Sequence, residues 1–244
     1  MTNKYMYFIA NWKMFGNLKT LNSINKVISF TKKNKKNKFK LVYCPPASLL
    51  FPLSKKLQAT SIDIGGQNCH ESQNFGANTG YINSKMLKDV GAKYVILGHS
   101  ENRQLGESDK LINSKIQSSI KSGLKVIFCI GETLKQKKKK ITKRVLFSQI
   151  SKGLKKIRNK KNIIIAYEPV WSIGSGMIPR EYELFEIIKY IKNKVRGVKV
   201  LYGGSVNSKS IKNLKKINNV DGFLIGGASQ VSKNFIDIIK KTYN

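Results

Sequence analysis

Three stretches of the 244-residue chain set an ionisable or amide side chain just where an apolar run stops: Ala10-Asn11-Trp12-Lys13, Leu97-Gly98-His99-Ser100-Glu101 and Tyr167-Glu168-Pro169. A carboxylate, an imidazole and an ammonium brought together are the parts of acid–base catalysis. One group takes a proton, another gives one, and a cation steadies the charge that develops. Two glycine pairs stand in similar places, Tyr202-Gly203-Gly204-Ser205 and Ile225-Gly226-Gly227-Ala228-Ser229. Glycine has no Cβ and lets backbone N–H groups approach an anion closely, so the second chemistry is phosphate binding. Ile173-Gly174-Ser175-Gly176 follows Glu168 by a few residues. It reads either as a flexible connection or as a lid that excludes water and adds a backbone N–H to the phosphate, hinged at Pro169 and near Gly176.

Taken singly, each of these residues has a plainer reading. Lys13 is one more surface lysine in a lysine-rich chain, and His99 fits a capping or core role as readily as a catalytic one. Glu168 is one of 13 acids in a basic chain, and a structural salt bridge is its alternative. Cys129 lies inside an apolar strand and reads as core. His70 has no ligand set around it, so no metal is expected.

The elements that would bring the three stretches together are short, nearly continuous apolar runs, as parallel strands buried on both faces require. They are Met6–Ala10, Lys40–Cys44, Ile62–Gly66, Tyr94–Leu97, Lys125–Ile130, Ile163–Tyr167, Lys199–Tyr202 and Gly222–Ile225. Amphipathic helices alternate with them. Leu184, Ile187, Ile188, Ile191 and Val195 keep a helical period after Pro179, and Ile112, Ile116 and Ile120 keep one before Gly123. Leu21, Ile24 and Ile28 predict another helix near the start. Eight strand–helix units predict an α/β fold, a single (β/α)8 barrel domain over residues 1–244, with an open doubly wound sheet as the alternative. In a barrel, all strands deliver their C-terminal ends to one mouth, and the loops after strands seven and eight are the usual phosphate site.

Composition narrows the class further. Hydrophobic residues make up 41% of the chain, enough for a sizeable core, and no apolar run reaches the length of a membrane span. Asn11 and Lys13 interrupt the first apolar run too early for a signal-peptide core. Three cysteines without metal-like spacing, Cys44, Cys69 and Cys129, read as reduced thiols of a cytoplasmic protein. The net charge is +33. The runs Lys32-Lys33-Asn34-Lys35-Lys36 and Lys137–Lys140 invite a nucleic-acid reading, since lysine neutralises phosphate. Against it, arginine is scarce, the lysines are spread over the whole chain, and Lys, Ile and Asn share A/T-rich codons. A solvated surface with weak, non-specific nucleic-acid binding is the expectation.

Together the pieces Ala10-Asn11-Trp12-Lys13-Met14, Gly98-His99-Ser100-Glu101, Ala166-Tyr167-Glu168-Pro169-Val170-Trp171, Tyr202-Gly203-Gly204-Ser205 and Gly226-Gly227-Ala228-Ser229 make the chain resemble the triosephosphate isomerase family over essentially its whole length. The resemblance implies interconversion of dihydroxyacetone phosphate and D-glyceraldehyde 3-phosphate through an enediolate, a step of glycolysis and gluconeogenesis. It implies Glu168 as the base and His99 as a neutral electrophile, kept so by the helix that starts near Ser100. Lys13 would stabilise the developing oxyanion and the phosphate, Asn11 would position substrate, and Glu101 would support Lys13 from behind. Gly174, Ser205, Gly226 and Gly227 would hold the phosphate. No cofactor and no metal are implied.

The chain departs from the family pattern at a few places. Ser172 stands where the family usually has Ala, and Met177 where it often has Lys, which bears on lid kinetics. The family's homodimer, implied here through loop 76–81 with Thr79 near the neighbour's site, usually carries an acid where Tyr81 stands and Arg where Asn102 stands. Both partners are changed together, so no buried charge is left unpaired and the dimer is expected to persist. A different phosphosugar barrel enzyme would fit the two glycine loops but not the base and lid segments.

Overall fold

The computed structural model describes residues 4–34 and 38–244; Lys35 and Lys36 of the first lysine run lie outside the described residues. Its eight strands are β1 (Met6–Asn11), β2 (Phe39–Cys44), β3 (Asp63–Gly66), β4 (Tyr94–Leu97), β5 (Lys125–Ile130), β6 (Ile163–Tyr167), β7 (Lys199–Tyr202) and β8 (Gly222–Ile225). All pair in parallel in chain order, and β8 closes on β1 through Tyr7↔Gly222 to Ala10↔Ile225. The closed ring rules out the open doubly wound sheet.

The strands hold because both faces are buried. Ile9, Val42, Tyr94, Ile96, Ile127, Cys129, Ile164, Leu201 and Leu224 fill the barrel interior. Their neighbours of opposite parity, such as Phe8, Leu41, Val95, Phe128, Ile165 and Phe223, pack outward against the helices. Alternate side chains on one strand thus serve two cores, which is why the runs read as continuously apolar. All three cysteines are free and buried.

The surrounding helices are α1 (Ile24–Lys33), α2 (Ala47–Leu57), α3 (Ser84–Asp89), α4 (Ser100–Gln104), α5 (Asp109–Lys121), α6 (Leu134–Lys138), α7 (Thr142–Gly153), α8 (Glu181–Lys194), α9 (Ile211–Leu214) and α10 (Ser232–Tyr243). Leu184, Ile188 and Ile191 of α8 are buried, and the helix stops before Val195. α5 is capped by the Ser108 side chain and ends ahead of Gly123. The helix expected from Leu21, Ile24 and Ile28 is divided. Leu21 sits on a 3₁₀ turn, Lys19–Ser23, and only Ile24 and Ile28 lie on α1. Among the described residues no helix is long and apolar enough to cross a membrane.

At the N-terminal end of the barrel, two aspartates gather lysines from the starts of strands and from α8. Asp63 pairs with Lys40 at 2.5 Å and Lys93 at 2.8 Å. Asp221 meets Lys192 at 2.7 Å and Lys4 at 3.1 Å, and accepts the Val200 N–H at 2.9 Å. Burial pulls the Asp221 carboxyl up, but these hydrogen bonds and charges outweigh it and hold the group below its ordinary value.

Candidate active site

The opposite end of the barrel carries the polar residues. β1 runs one residue beyond its apolar run because Asn11 still pairs with Cys44 of β2. That fixes the backbone of Asn11, whose Oδ1 accepts the Lys13 N–H at 3.1 Å. Lys13 needs this support: its φ is +56°, a left-handed conformation that non-glycine residues seldom adopt. Gln67, just past β3, donates to the Lys13 carbonyl at 2.8 Å and to the Cys44 carbonyl at 2.8 Å. Gln230, past β8, donates to the Trp12 carbonyl at 3.0 Å. The turn is therefore clamped from three strands, and the Lys13 ammonium reaches Glu101 Oε1 at 2.6 Å. The two glutamines were not singled out from the sequence. Gln67 directly follows the glycine-rich end of β3, which is a signal; Gln230 stands five residues past β8, beyond a 3₁₀ turn, and carries none.

His99 follows β4 and caps α4. Its Nδ1 accepts the Glu101 N–H at 3.3 Å. A nitrogen that accepts a hydrogen bond carries no proton, so the proton of a neutral ring sits on Nε2. Nε2 points into the mouth, 3.7 Å from Oε1 of Glu168. Both side chains are buried, each 5% exposed.

Glu168 is held by its own backbone, whose N–H donates to Ile130 at 2.8 Å. Its Oε2 has no hydrogen-bond partner among the described residues, so a lone pair is left free in the buried mouth. Burial pushes the carboxyl above the ordinary glutamate value. The nearby His99 ring, a hydrogen bond from the Cys129 thiol and the Lys13 ammonium oppose the rise without cancelling it. Cys129 itself is 1% exposed and its thiol is pushed far up by burial, as its core position requires. Gly203 makes room for the carboxylate: a Cβ there would lie 2.6 Å from Glu168 Cγ and 2.8 Å from Oε1.

Asn11, Lys13, His99, Glu168, Gly174, Ser205, Gly226 and Gly227 all line one cavity of about 460 Å³. Glu101 stands outside that lining, behind Lys13. Ile173, Gly174 and Gly176, of the segment the sequence reads as a connection or a lid, line the same cavity. Gly176, at a φ of +77°, donates its N–H to Ser205 Oγ at 3.0 Å. At the lid's other end, Trp171 donates through Nε1 to the buried Glu132 at 2.8 Å. Lys137 lies 3.6 Å from the centre of the Trp171 ring and 3.5 Å from Glu183. This lysine of the second run is thus attached to the lid rather than free in solvent, and the sequence offered no sign of it. Among the described residues no cluster of His, Cys, Asp or Glu is placed to hold a metal ion.

A closed eight-strand barrel with acid–base groups and glycine loops at one mouth defines the class of (β/α)8-barrel enzymes. The family model described as triosephosphate isomerase matches residues 6–242. Proteins named triosephosphate isomerase from Thermodesulfovibrio yellowstonii and Carboxydothermus hydrogenoformans are each 39% identical, over 96% of this chain and 98% and 97% of their own lengths. One from Yarrowia lipolytica is 39% identical, over 96% of this chain and 97% of its own. The solved triosephosphate isomerase of Bartonella henselae superposes with a TM-score of 0.89 at 34% identity, covering 98% of this chain and all of that one. The chain belongs to the triosephosphate isomerase family, and it is an isomerase of triose phosphates.

Proposed function

We propose that the chain interconverts dihydroxyacetone phosphate and D-glyceraldehyde 3-phosphate through an enediolate, as a step of glycolysis and gluconeogenesis in the cytoplasm. The observation that carries this reading is the facing pair Glu168 Oε1 and His99 Nε2, 3.7 Å apart on the floor of the cavity. Glu168, ionised, takes the proton from the substrate carbon next to the carbonyl. His99 donates its Nε2 proton toward the carbonyl oxygen and recovers it from the neighbouring hydroxyl. The ammonium of Lys13 stabilises the oxygen as its charge grows, where low dielectric makes that charge worth most. Glu101, 2.6 Å behind, orients Lys13. A carboxylate and an imidazole suffice for every proton moved, so the proposed chemistry calls for no cofactor.

The phosphate sits against the glycine-rich loops, with the backbone at Gly174, Ser205, Gly226 and Gly227 as its cradle and Asn11 and Lys13 on the facing wall. Conversion of glyceraldehyde 3-phosphate, measured beside Glu168→Gln, tests the assignment. Loss of turnover by about 10²–10⁴ supports Glu168 as the base. Retained turnover in the variant overturns it.

The proposed working unit is a homodimer of single-domain protomers. Its support is the exposure of large apolar side chains on loops at the same end of the barrel: Met14 at 98%, Phe75 at 72%, Tyr81 at 66% and Leu105 at 87%. The loop holding Thr79 is pinched at its base, where the His70 N–H donates to Ile82 at 2.8 Å. Tyr81 packs edge-on against His70 within the same protomer, ring centres 5.1 Å apart. Sedimentation at micromolar concentration is expected to give a dimer, and a monomer alone would contradict it.

A further inference from the structure

Ser172 is fully buried in the lid. Its hydroxyl donates to the Met177 carbonyl at the far end of that lid, and it lies 3.0 Å from the hydroxyl of Tyr202 at the end of β7. Since Ser172 spends its proton on Met177, Tyr202 donates the bond between them. Gly204 provides the space, because a Cβ there would lie 2.5 Å from both hydroxyl oxygens. The backbone of the same residue is held separately: Ser205 donates to the Ser172 carbonyl while accepting from Gly176. Moving residues 172–177 away from β7 therefore breaks a chain of hydroxyls in which every group is buried or half-buried. A buried hydroxyl that loses its partner is costly, so the docked position is the one the chain favours.

We infer that Ser172 is a positioning residue, a side-chain latch that holds the lid down on the end of β7 and prolongs the enclosure of a bound phosphate group. The inference rests on the proposed reading of this segment as a lid over the substrate phosphate. Alanine in its place keeps the backbone contacts through Ser205 and removes only the hydroxyl, so the variant isolates the latch.

The test uses protein labelled with 5-fluorotryptophan, whose two fluorine resonances report Trp171 in the lid and Trp12 outside it. Inorganic phosphate serves as the ligand. For Ser172→Ala the expected results are a phosphate Kd raised about fivefold, the worth of one net hydrogen bond, and faster exchange of the Trp171 signal with that of Trp12 unchanged. Tyr202→Phe removes the other end of the chain and is expected to act non-additively with Ser172→Ala. An unchanged Kd and unchanged Trp171 exchange would overturn the latch, as would strictly additive effects or an equal disturbance at Trp12. Failure of phosphate to bind the unsubstituted protein would contradict the phosphate site itself. The ligand-free exchange of Trp171 then still decides the latch.

Discussion

Glu168 Oε1 faces His99 Nε2 across 3.7 Å, each side chain 5% exposed, although one residue directly follows β6 and the other comes just after β4. The ring favours the ionised carboxylate, but burial outweighs it and holds the Glu168 proton more tightly than an exposed glutamate would.

This has a consequence for pH. Glu168 must be ionised to act as the base, so the acid limb of kcat/KM is expected above the pH at which an exposed glutamate titrates. The same shift costs stability. A carboxyl whose folded pKa is raised binds its proton more tightly in the folded state, so stability falls as pH rises from the unfolded pKa to the folded one, then stays at the lower level. Glu168→Gln is expected to raise Tm at neutral pH, with the gain shrinking as pH falls through the carboxylate range. Thermal melts of both proteins across that range check it, and a constant Tm difference would contradict the sign.

Gly203 sets the position of the base by leaving space. A methyl group there would lie 2.6 Å from Glu168 Cγ, so Gly203→Ala displaces the carboxylate rather than merely crowding it. Misplacement on the scale of an ångström costs about 10² in rate. The expected outcome is a fall in kcat of that order in a folded protein, read by steady-state kinetics beside a circular dichroism melt.

Asp221 tests the other end of the barrel. It accepts the Val200 N–H and meets Lys4, Lys192 and Lys199, while being only 4% exposed itself. Asp221→Ala strands a buried donor and is expected to cost about 1–3 kcal/mol, read by denaturant unfolding, with activity intact. The carboxyl is held below its ordinary value. Its contribution is therefore fully present above the unfolded aspartate pKa and is lost as pH falls through the lower, folded one. The gap between the two proteins should narrow in strong acid, by the part that the carboxylate charge contributes.

The surplus of positive charge has its own signature. With a net charge of +33, self-repulsion is relieved by counterions, so Tm is expected to rise between low and moderate ionic strength. A dianionic substrate is drawn to a positive surface, so kcat/KM is expected to fall over the same range. A kcat/KM independent of salt would mark the lysines as incidental to catalysis.

The barrel was legible because its strands are buried on two sides. Runs such as Val126–Ile130 and Ile163–Tyr167 admit no polar residue, and their ends are marked by the first one that appears. That rule also located Asn11, Glu168 and, one glycine past its strand, His99. Gln67 obeys the same rule, but an amide that acts on a backbone carbonyl carries no distinctive chemistry; Gln230, five residues past β8, lies outside the rule altogether. The break between Leu21 and Ile24 was hidden because 3₁₀ and α turns place apolar residues at nearly the same spacing. Lys137 was lost among neighbouring lysines, and the partners of Ser172 are separated from it by 5 and 30 residues, a proximity only the closed barrel creates.

Carbon-bound proton transfer by Glu168 is the central claim, and isomerisation in D₂O tests it most directly. A proton carried on a carboxylate exchanges with solvent, so the product is expected to acquire deuterium at the carbon that receives it, and Glu168→Gln is expected to lose both turnover and deuterium incorporation. Turnover that survives the substitution, with deuterium still entering at carbon, would contradict the account.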